Sequence, residues 1–311
     1  FLAIQNVAPD SLESKRSQFL LGLIHSQNKK NGKAIAVFTP LLKKYPEIGD
    51  YVLLNLAEAE LQAKKYEQAK THALKLLNDF PGTQLYPQAQ IILAEVYMQT
   101  KADAQATAIL LKSIAALRTS FNHRSFRSFL PELIFKLAGH ELKLGKKTKA
   151  YLNYRQLHIK YPNHELTENA EAAMKKLVSE VKEVPLTLRE HTERIRKLFK
   201  GVRYKEIIVE IGEIKKSNDP MPGRFYFFLS NAHRGLRDRK TANIALMDFS
   251  KLYPQHAKIQ KAKFNIGRNL WNLGRPLAGA KYFKEVAKED PSSERAIKAL
   301  FFLGKIYHYP N

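Results

Sequence analysis

Two carboxylate pairs, Glu58/Glu60 and Glu289/Asp290, come nearest to an acid–base site in this 311-residue chain. Glycoside chemistry needs two acids converging on a cleft. These acids are sequence neighbours on or near a helical surface and read as solvated. None of the ten histidines falls in an HExxH motif or at metal-ligand spacing. His25 and His233 occupy equivalent places in a repeat described below and read as packing or partly exposed residues. Cysteine is absent, which excludes thiolate zinc sites, cysteine nucleophiles and disulfide scaffolds. Phosphate-binding glycine loops and GxSxG elbows are absent as well. The sequence therefore offers no catalytic residue, no cofactor site and no metal ligand. It reads as an interaction scaffold.

Its cations are the remaining chemical resource. Lys and Arg total 52 against 29 Asp and Glu, a net charge of +23. Arg234, Arg237, Arg239 and Lys240 cluster at one turn, HRGLRDRK. Arg189, Arg194, Arg196, Lys197, Lys200, Arg203 and Lys205 crowd one helix and its following turn, and Arg268 and Arg275 lie further on. Of these, Arg194, Arg196, Lys197, Lys200, Arg203, Arg234, Arg237, Arg239, Lys240, Arg268 and Arg275 are candidate contacts to an anionic partner. The functional reading is a basic face that steers an anionic polymer, nucleic acid being one such polymer. The bland alternative is a solvated, lysine-rich surface.

The elements that must position these side chains are set by a repeat. A small residue, a second small residue twelve later and a proline twelve after that recur without gaps. The pattern is met by Gly22, Ala34, Pro46; Ala57, Ala69, Pro81; Ala138, Ala150, Pro162; Ser230, Ala242, Pro254; and Gly267, Gly279, Pro291. Partial copies stand at Leu93, Ala94, Ala106 and at Leu303, Gly304. An aliphatic residue precedes each first small residue, and an aromatic (Tyr45, Phe80, Tyr161, Tyr253) precedes four of the prolines. Apolar residues at helical spacing fill both arms, as in Val52, Leu53, Leu56 and Ala69, Ala73, Leu76. The spacing predicts an all-α stack of antiparallel helix pairs. Small residues permit a close crossing, and proline ends the second helix because it lacks the N–H and disfavours helix in the residue before it. Such a unit buries its apolar face only against stacked neighbours.

Two stretches break the rhythm. Residues 119–129 read as an aromatic, basic insertion with Phe side chains tucked down. Residues 164–220 hold an extra helix (Glu165 to Val181), then Pro185, then a weak pair with Ile195, Ile207, Ile211 and Ile214 but no small columns. The SNDPMPG run at 217–223 punctuates the chain. A soft boundary near Pro185 divides 1–185 from 186–311. The first portion carries 26 basic and 17 acidic side chains and the second, though shorter, 26 and 12. The chain opens on Phe1 rather than Met, so a removed leader or lipid anchor is expected. A last half-unit, 295–309, leads to the expectation that the native chain continues past Asn311.

These columns resemble the tetratricopeptide repeat (TPR), whose units run to about 34 residues with small residues and a terminal proline so arranged. Here the copies are slightly long, with Gly22 and Ala57 35 apart. The fold implied is a TPR-like α-solenoid, curved or ring-like. In the last third, Gly267-Arg268-Asn269-Leu270-Trp271-Asn272-Leu273-Gly274, Asp290-Pro291-Ser292-Ser293 and Ala296 to Gly304 resemble the N-terminal superhelical region of soluble lytic transglycosylases. That resemblance implies a periplasmic, outer-membrane-associated role and peptidoglycan as partner. It also implies a lysozyme-like catalytic domain, absent from these residues, that cleaves the glycan. Glu13-Ser14 matches the family's Glu-Ser pair by coincidence, since no Gly-Leu-Met-Gln follows, and no catalytic residue carries over. Two other expectations stand beside it: a cell-envelope TPR adaptor of the outer-membrane-assembly or division type, binding a peptide in its groove, and a basic nucleic-acid-binding repeat.

Overall fold

The computed structural model describes residues 11–119, 124–182, 184–217 and 220–308. Part of the expected insertion (120–123), part of the SNDPMPG run (218–219) and the last position of the half-unit (309) lie outside the described residues. Among the described residues there are sixteen α-helices and no strand. None of these helices is long and apolar enough to cross a membrane.

Seven antiparallel pairs account for fourteen of the helices. They are α1 (Leu12–Gln27) with α2 (Asn31–Lys44), α3 (Gly49–Gln62) with α4 (Tyr66–Asp79), and α5 (Tyr86–Gln99) with α6 (Asp103–Thr119). Next come α7 (Leu130–Lys143) with α8 (Lys147–Lys160), followed by the single α9 (Leu166–Leu177). Then follow α10 (Leu188–Lys200) with α11 (Tyr204–Ser217), α12 (Gly223–Gly235) with α13 (Arg239–Leu252), and α14 (Ile259–Asn272) with α15 (Pro276–Glu289). The single α16 (Glu294–His308) comes last. The chain divides into two compact units. One comprises the described residues up to Leu157 with His164–Glu183, the other His158–Asn163 with the described residues from Val184 onward.

One backbone device closes the first helix of every pair. Lys29, Lys64, Lys101, Gly145, Val202, Arg237 and Gly274 all have positive φ, between 57° and 73°. Each lies seven residues beyond the first column residue of its pair. The next N–H reaches back to the carbonyl five residues earlier, as in Lys65 N to Glu60 O at 2.8 Å and Arg203 N to Leu198 O at 3.0 Å. This is the Schellman closure, which satisfies carbonyls a helix end would otherwise orphan. By this ruler α10 and α11 form a full pair in register with the others. Ile195 and Ile207 stand where the other pairs carry small residues, and both are fully buried. Glycine relieves the left-handed strain at Gly145 and Gly274. The β-branched Val202, which is 64% exposed, bears it with no such relief.

The column residues lie at the helix crossings. Ala34, Ala57, Ala69, Ala138, Ala150 and Ala242 have no exposed surface, and Ser230 is 2% exposed. A Cβ added at Gly22 would meet the Phe38 ring at 2.4 Å, and one at Gly279 would meet the Gly267 carbonyl oxygen at 2.8 Å. In the five complete copies of the pattern the second helix ends just before the residue preceding its proline: α2 before Tyr45–Pro46, α4 before Phe80–Pro81, α8 before Tyr161–Pro162, α13 before Tyr253–Pro254 and α15 before Asp290–Pro291. Pro40 is the exception, placed inside α2 on its exposed side. Of the expected insertion, Arg124–Phe129 forms a 3-10 helix with Phe126 buried.

Candidate functional site

First helices contact one another at α1–α3, α3–α5 and α14–α16, and clefts lie between first helices in both units. In the first unit, a cleft of about 370 Å³ between α3, α5 and α7 is lined by Glu58, Leu61, Gln62, Ile91, Ile92, Glu95, Gln99, Glu132 and Lys136, among others. In the second unit, a cleft of about 570 Å³ is lined by Arg189, Thr192, Glu193, Arg196, Lys197 and Lys200 of α10 and by Arg224 of α12. Another, of about 360 Å³, lies between Lys261, Phe264 and Asn265 of α14 and Ser293, Glu294, Arg295 and Lys298 at the start of α16. Most of the lining residues sit at the same few offsets from their column residue: six, three or two before it, or one, four or five after it. A helix repeats these offsets on one face, because they form two adjoining series, six and three before with one and four after, and six and two before with one and five after, each stepping by three or four residues.

The face differs chemically between the two units. In the first, the charges neutralise one another: Lys136 Nζ lies 2.7 Å from Glu95 and 3.9 Å from Glu132. In the second, the residue six before the column is a cation on every first helix: Arg189, Arg224, Lys261 and Lys298. One residue after the column stand Arg196, Asn231, Arg268 and Lys305. Between these two rows lie Phe227 and Phe228 on α12, Phe264 on α14, and Phe301 and Phe302 on α16. The cations attend the aromatic row, with Lys261 Nζ 5.9 Å from the Phe227 ring centre and Lys305 Nζ 4.8 Å from that of Phe301. Burial, and then the charges of Arg268 and Arg239, hold the Arg234 guanidinium below its usual range. Arg268 and Arg239 therefore each stand close enough to Arg234 to repel it.

Not every expected cation is available. Arg194 is buried; its Nε donates to Glu210 Oε2 at 2.9 Å and its Nη1 to the His158 carbonyl at 2.5 Å. His191 Nδ1 closes the same cluster at 2.5 Å from Glu210 Oε1. Burial alone would raise the Glu210 carboxyl. The His191 hydrogen bond and the charges of Arg194, His191 and His158 outweigh it and hold the group below the ordinary carboxylate value. Arg203 donates to Glu206 at 3.0 Å and to the Pro162 carbonyl at 2.7 Å. Arg194 is thus corrected from a partner contact to an internal one, while Arg203, its side chain 33% exposed, is held by internal partners. They tie His158–Asn163 to the second unit, since unpaired buried carbonyls are costly. Arg196, Lys197, Lys200, Arg234 and Arg268 lie on the first helices. Arg237, Arg239, Lys240 and Arg275 lie at the turns or helix starts that follow them.

Glu60 is likewise corrected from a solvated to a buried acid: 3% exposed, with His72 Nδ1 2.7 Å from its carboxylate. Glu141 takes the equivalent place and accepts from Asn153 at 2.8 Å. Both pairs are twelve residues apart, like the small columns, so they span the same crossing. His233 lies 3.3 Å from Asp238, beside its own turn. Glu13-Ser14 opens α1, with Ser14 fully buried. Among the described residues no group of His, Asp and Glu is placed to hold a metal ion.

Comparison with known proteins agrees with the helix-pair geometry. The family profile for the tetratricopeptide repeat matches residues 51–83, which span α3 and α4. No curated protein sequence matches the chain. Among solved structures, it is similar to a tetratricopeptide repeat protein from Parabacteroides merdae, at 11% identity over 93% of this chain and 98% of that one, with a TM-score of 0.42. It is also similar to the apo form of RapI, at 12% identity over 94% and 99%, TM-score 0.46. A third is PilF of Pseudomonas aeruginosa, at 14% identity over 80% and 96%, TM-score 0.38. The chain is an all-α, TPR-like helical-repeat protein.

Proposed function

We propose that the chain is a non-catalytic scaffold that holds a segment of another protein against the first helices of its second unit. The observation carrying this reading is the coincidence, on one face, of cations without acidic cover and partly exposed aromatic side chains. Arg189, Arg196, Lys197, Lys200 and Arg224 share their cleft with a single acid, Glu193. Phe301 is 59% exposed in the aromatic row. Soluble surfaces keep such combinations where a partner desolvates them. A photo-crosslinking side chain placed at Asn231 or Asn265, compared with one at exposed Asp248 on α13, tests the face directly. Partner adducts should form at the first two positions and not at the third. Equal yields at all three would remove the reading.

A narrower form follows from the sequence resemblance to lytic transglycosylases. In it the chain works in the periplasm, associated with the outer membrane, and its α10–α12 cleft meets the stem-peptide carboxylates of peptidoglycan. This would position glycan strands or partner proteins for a lysozyme-like domain. The five cations of that cleft suit carboxylates, which pair with arginine in bidentate fashion. Co-sedimentation with purified peptidoglycan sacculi tests it: wild type should pellet, Arg196→Glu/Arg224→Glu should stay soluble, and neither should release anhydro-muropeptides. Retention of an envelope protein with no sacculus binding would favour the adaptor form instead.

A further inference from the structure

The two rows of cations on the second unit's face have a fixed separation. Residues six before and one after the column are seven apart on the same helix. At the α-helical rise that is about 10 Å. The aromatic row lies between them, so the face is an apolar strip with a basic rail along each edge: Arg224, Lys261 and Lys298 on one side, Arg268 and Lys305 on the other, with Asn231 completing that second edge. A strip of this width matches the roughly 10–12 Å diameter of an α-helix with its side chains. An extended peptide is narrower and would meet one rail at a time. The strip crosses α12, α14 and α16, and the cation-lined α10–α12 cleft continues it.

Resting on the reading of this face as a protein-binding surface, we propose that its occupant is an amphipathic helix whose apolar stripe lies on the partly exposed Phe227, Phe228, Phe301 and Phe302, with Phe264 buried beneath them, and whose acidic flanks meet both rails. Charge complementarity requires the acids, because among the described residues the rails carry no neutralising partners except at Lys298, which bonds Glu294. The spacing of the rails requires the helix. The segment recognised thus reads as apolar residues at i, i+3/4 and i+7 with Asp or Glu on both sides of the stripe.

Three synthetic 18-residue probes test this by fluorescence anisotropy on the intact 311-residue chain. They are a Leu/Phe-striped, Glu-flanked helix; the same composition interrupted by two central prolines; and a Glu→Gln version. The first should bind at least tenfold more tightly than either of the others. Lys261→Glu/Lys298→Glu and Arg268→Glu/Lys305→Glu should each weaken it at least tenfold. Lys251→Glu/Lys288→Glu, the same charge change on second helices, should weaken it less than threefold. Circular dichroism verifies that each variant is folded. Equal binding of the proline-interrupted probe, or sensitivity to one rail alone, would overturn the helical occupant. So would tighter binding of a single-stranded oligonucleotide at the same face. Hydrogen exchange separates this failure from that of the underlying reading: protection of α12, α14 and α16 by any peptide keeps the face, whereas protection confined to second helices removes both.

Discussion

Replacing Gly279 by alanine puts a methyl group 2.8 Å from the Gly267 carbonyl oxygen and 3.5 Å from Leu270 Cβ. Ordinary carbon–oxygen contacts lie near 3.3–3.6 Å, so α14 and α15 must part by about half an ångström where they cross. The obstacle is backbone, which cannot rotate away as a side chain can. Overpacking of this kind costs about 1–3 kcal/mol, against about 1 kcal/mol recovered from the better helix propensity of alanine. The net expectation is a loss of about 1 kcal/mol. Gly304 takes on α16 the first-column place that Gly267 holds on α14, and there an added Cβ meets nothing within 4 Å. There the same substitution should add about 0.5–1 kcal/mol. Trp271, the chain's one tryptophan, lies on α14 with its ring 5.6 Å from that of Phe302 on α16, so its fluorescence reports this region. A local reporter matters because stacked repeats need not unfold in one step. In urea, Gly279→Ala should lower the Trp271 midpoint and Gly304→Ala should raise it. A Gly279→Ala midpoint at or above wild type would refute the claim that the small columns exist to permit close crossings.

Val202→Gly should stabilise the second unit by about 1 kcal/mol by removing a β-branched residue from the left-handed region, and Lys64→Gly should do less in the first; thermal melts of the two variants check the order. Pro40→Ala should raise the stability of α2 by about 1–3 kcal/mol by restoring a ladder hydrogen bond on an exposed side, seen as slower amide exchange around Ala36. Glu210→Gln should cost about 3 kcal/mol by breaking a buried ion pair. Since the folded carboxyl is held below its ordinary value, Glu210 contributes fully at pH values above that ordinary value and loses its contribution as pH falls through the folded one. The variant should therefore differ from wild type at pH 7 and converge on it in acid. A gap that persists unchanged in acid would show that Glu210 acts other than through its charge.

The crossings were legible because a close approach tolerates few side chains. Gly22/Ala34 and Ala138/Ala150 therefore announce themselves by size and spacing. The α10–α11 pair was legible only as an irregular one. Its crossing is filled by Ile195 and Ile207, and its turn uses Val202, a residue type that gives no hint of positive φ. Glu60 and Glu141 look like surface acids in a linear reading. Their partners His72 and Asn153 lie twelve residues on, the spacing already established for the columns, and that offset could have marked them as buried. The proposed face was less legible than the crossings. Counting cations along the chain gathered Arg194, which is buried, and Arg203, which is held by Glu206 and the Pro162 carbonyl. It passed over Arg224, Lys261 and Lys298, which lie in separate stretches and come together only when each is measured from its own column residue.

That last point bears on whether the basic charge is functional or merely compositional. A compositional surplus would spread over the exposed offsets of every helix. Instead, the position six before the column reads Arg16, Tyr51, Gln88 and Glu132 in the first unit and Arg189, Arg224, Lys261 and Lys298 in the second. Both sets occupy the same kind of backbone position, so neither helix propensity nor packing accounts for the difference. Cover is unequal too: Lys136 has Glu95 and Glu132 beside it, while the α10–α12 cleft sets five cations against one acid. Like charges held together lower stability unless something of opposite sign is bound. The repeat columns keep the helices paired whatever the face carries, which leaves the face free to differ between units. The persistence of a basic edge on four consecutive first helices, with only Lys298 paired to an acid of its own helix among the described residues, is then an argument for a partner that neutralises it.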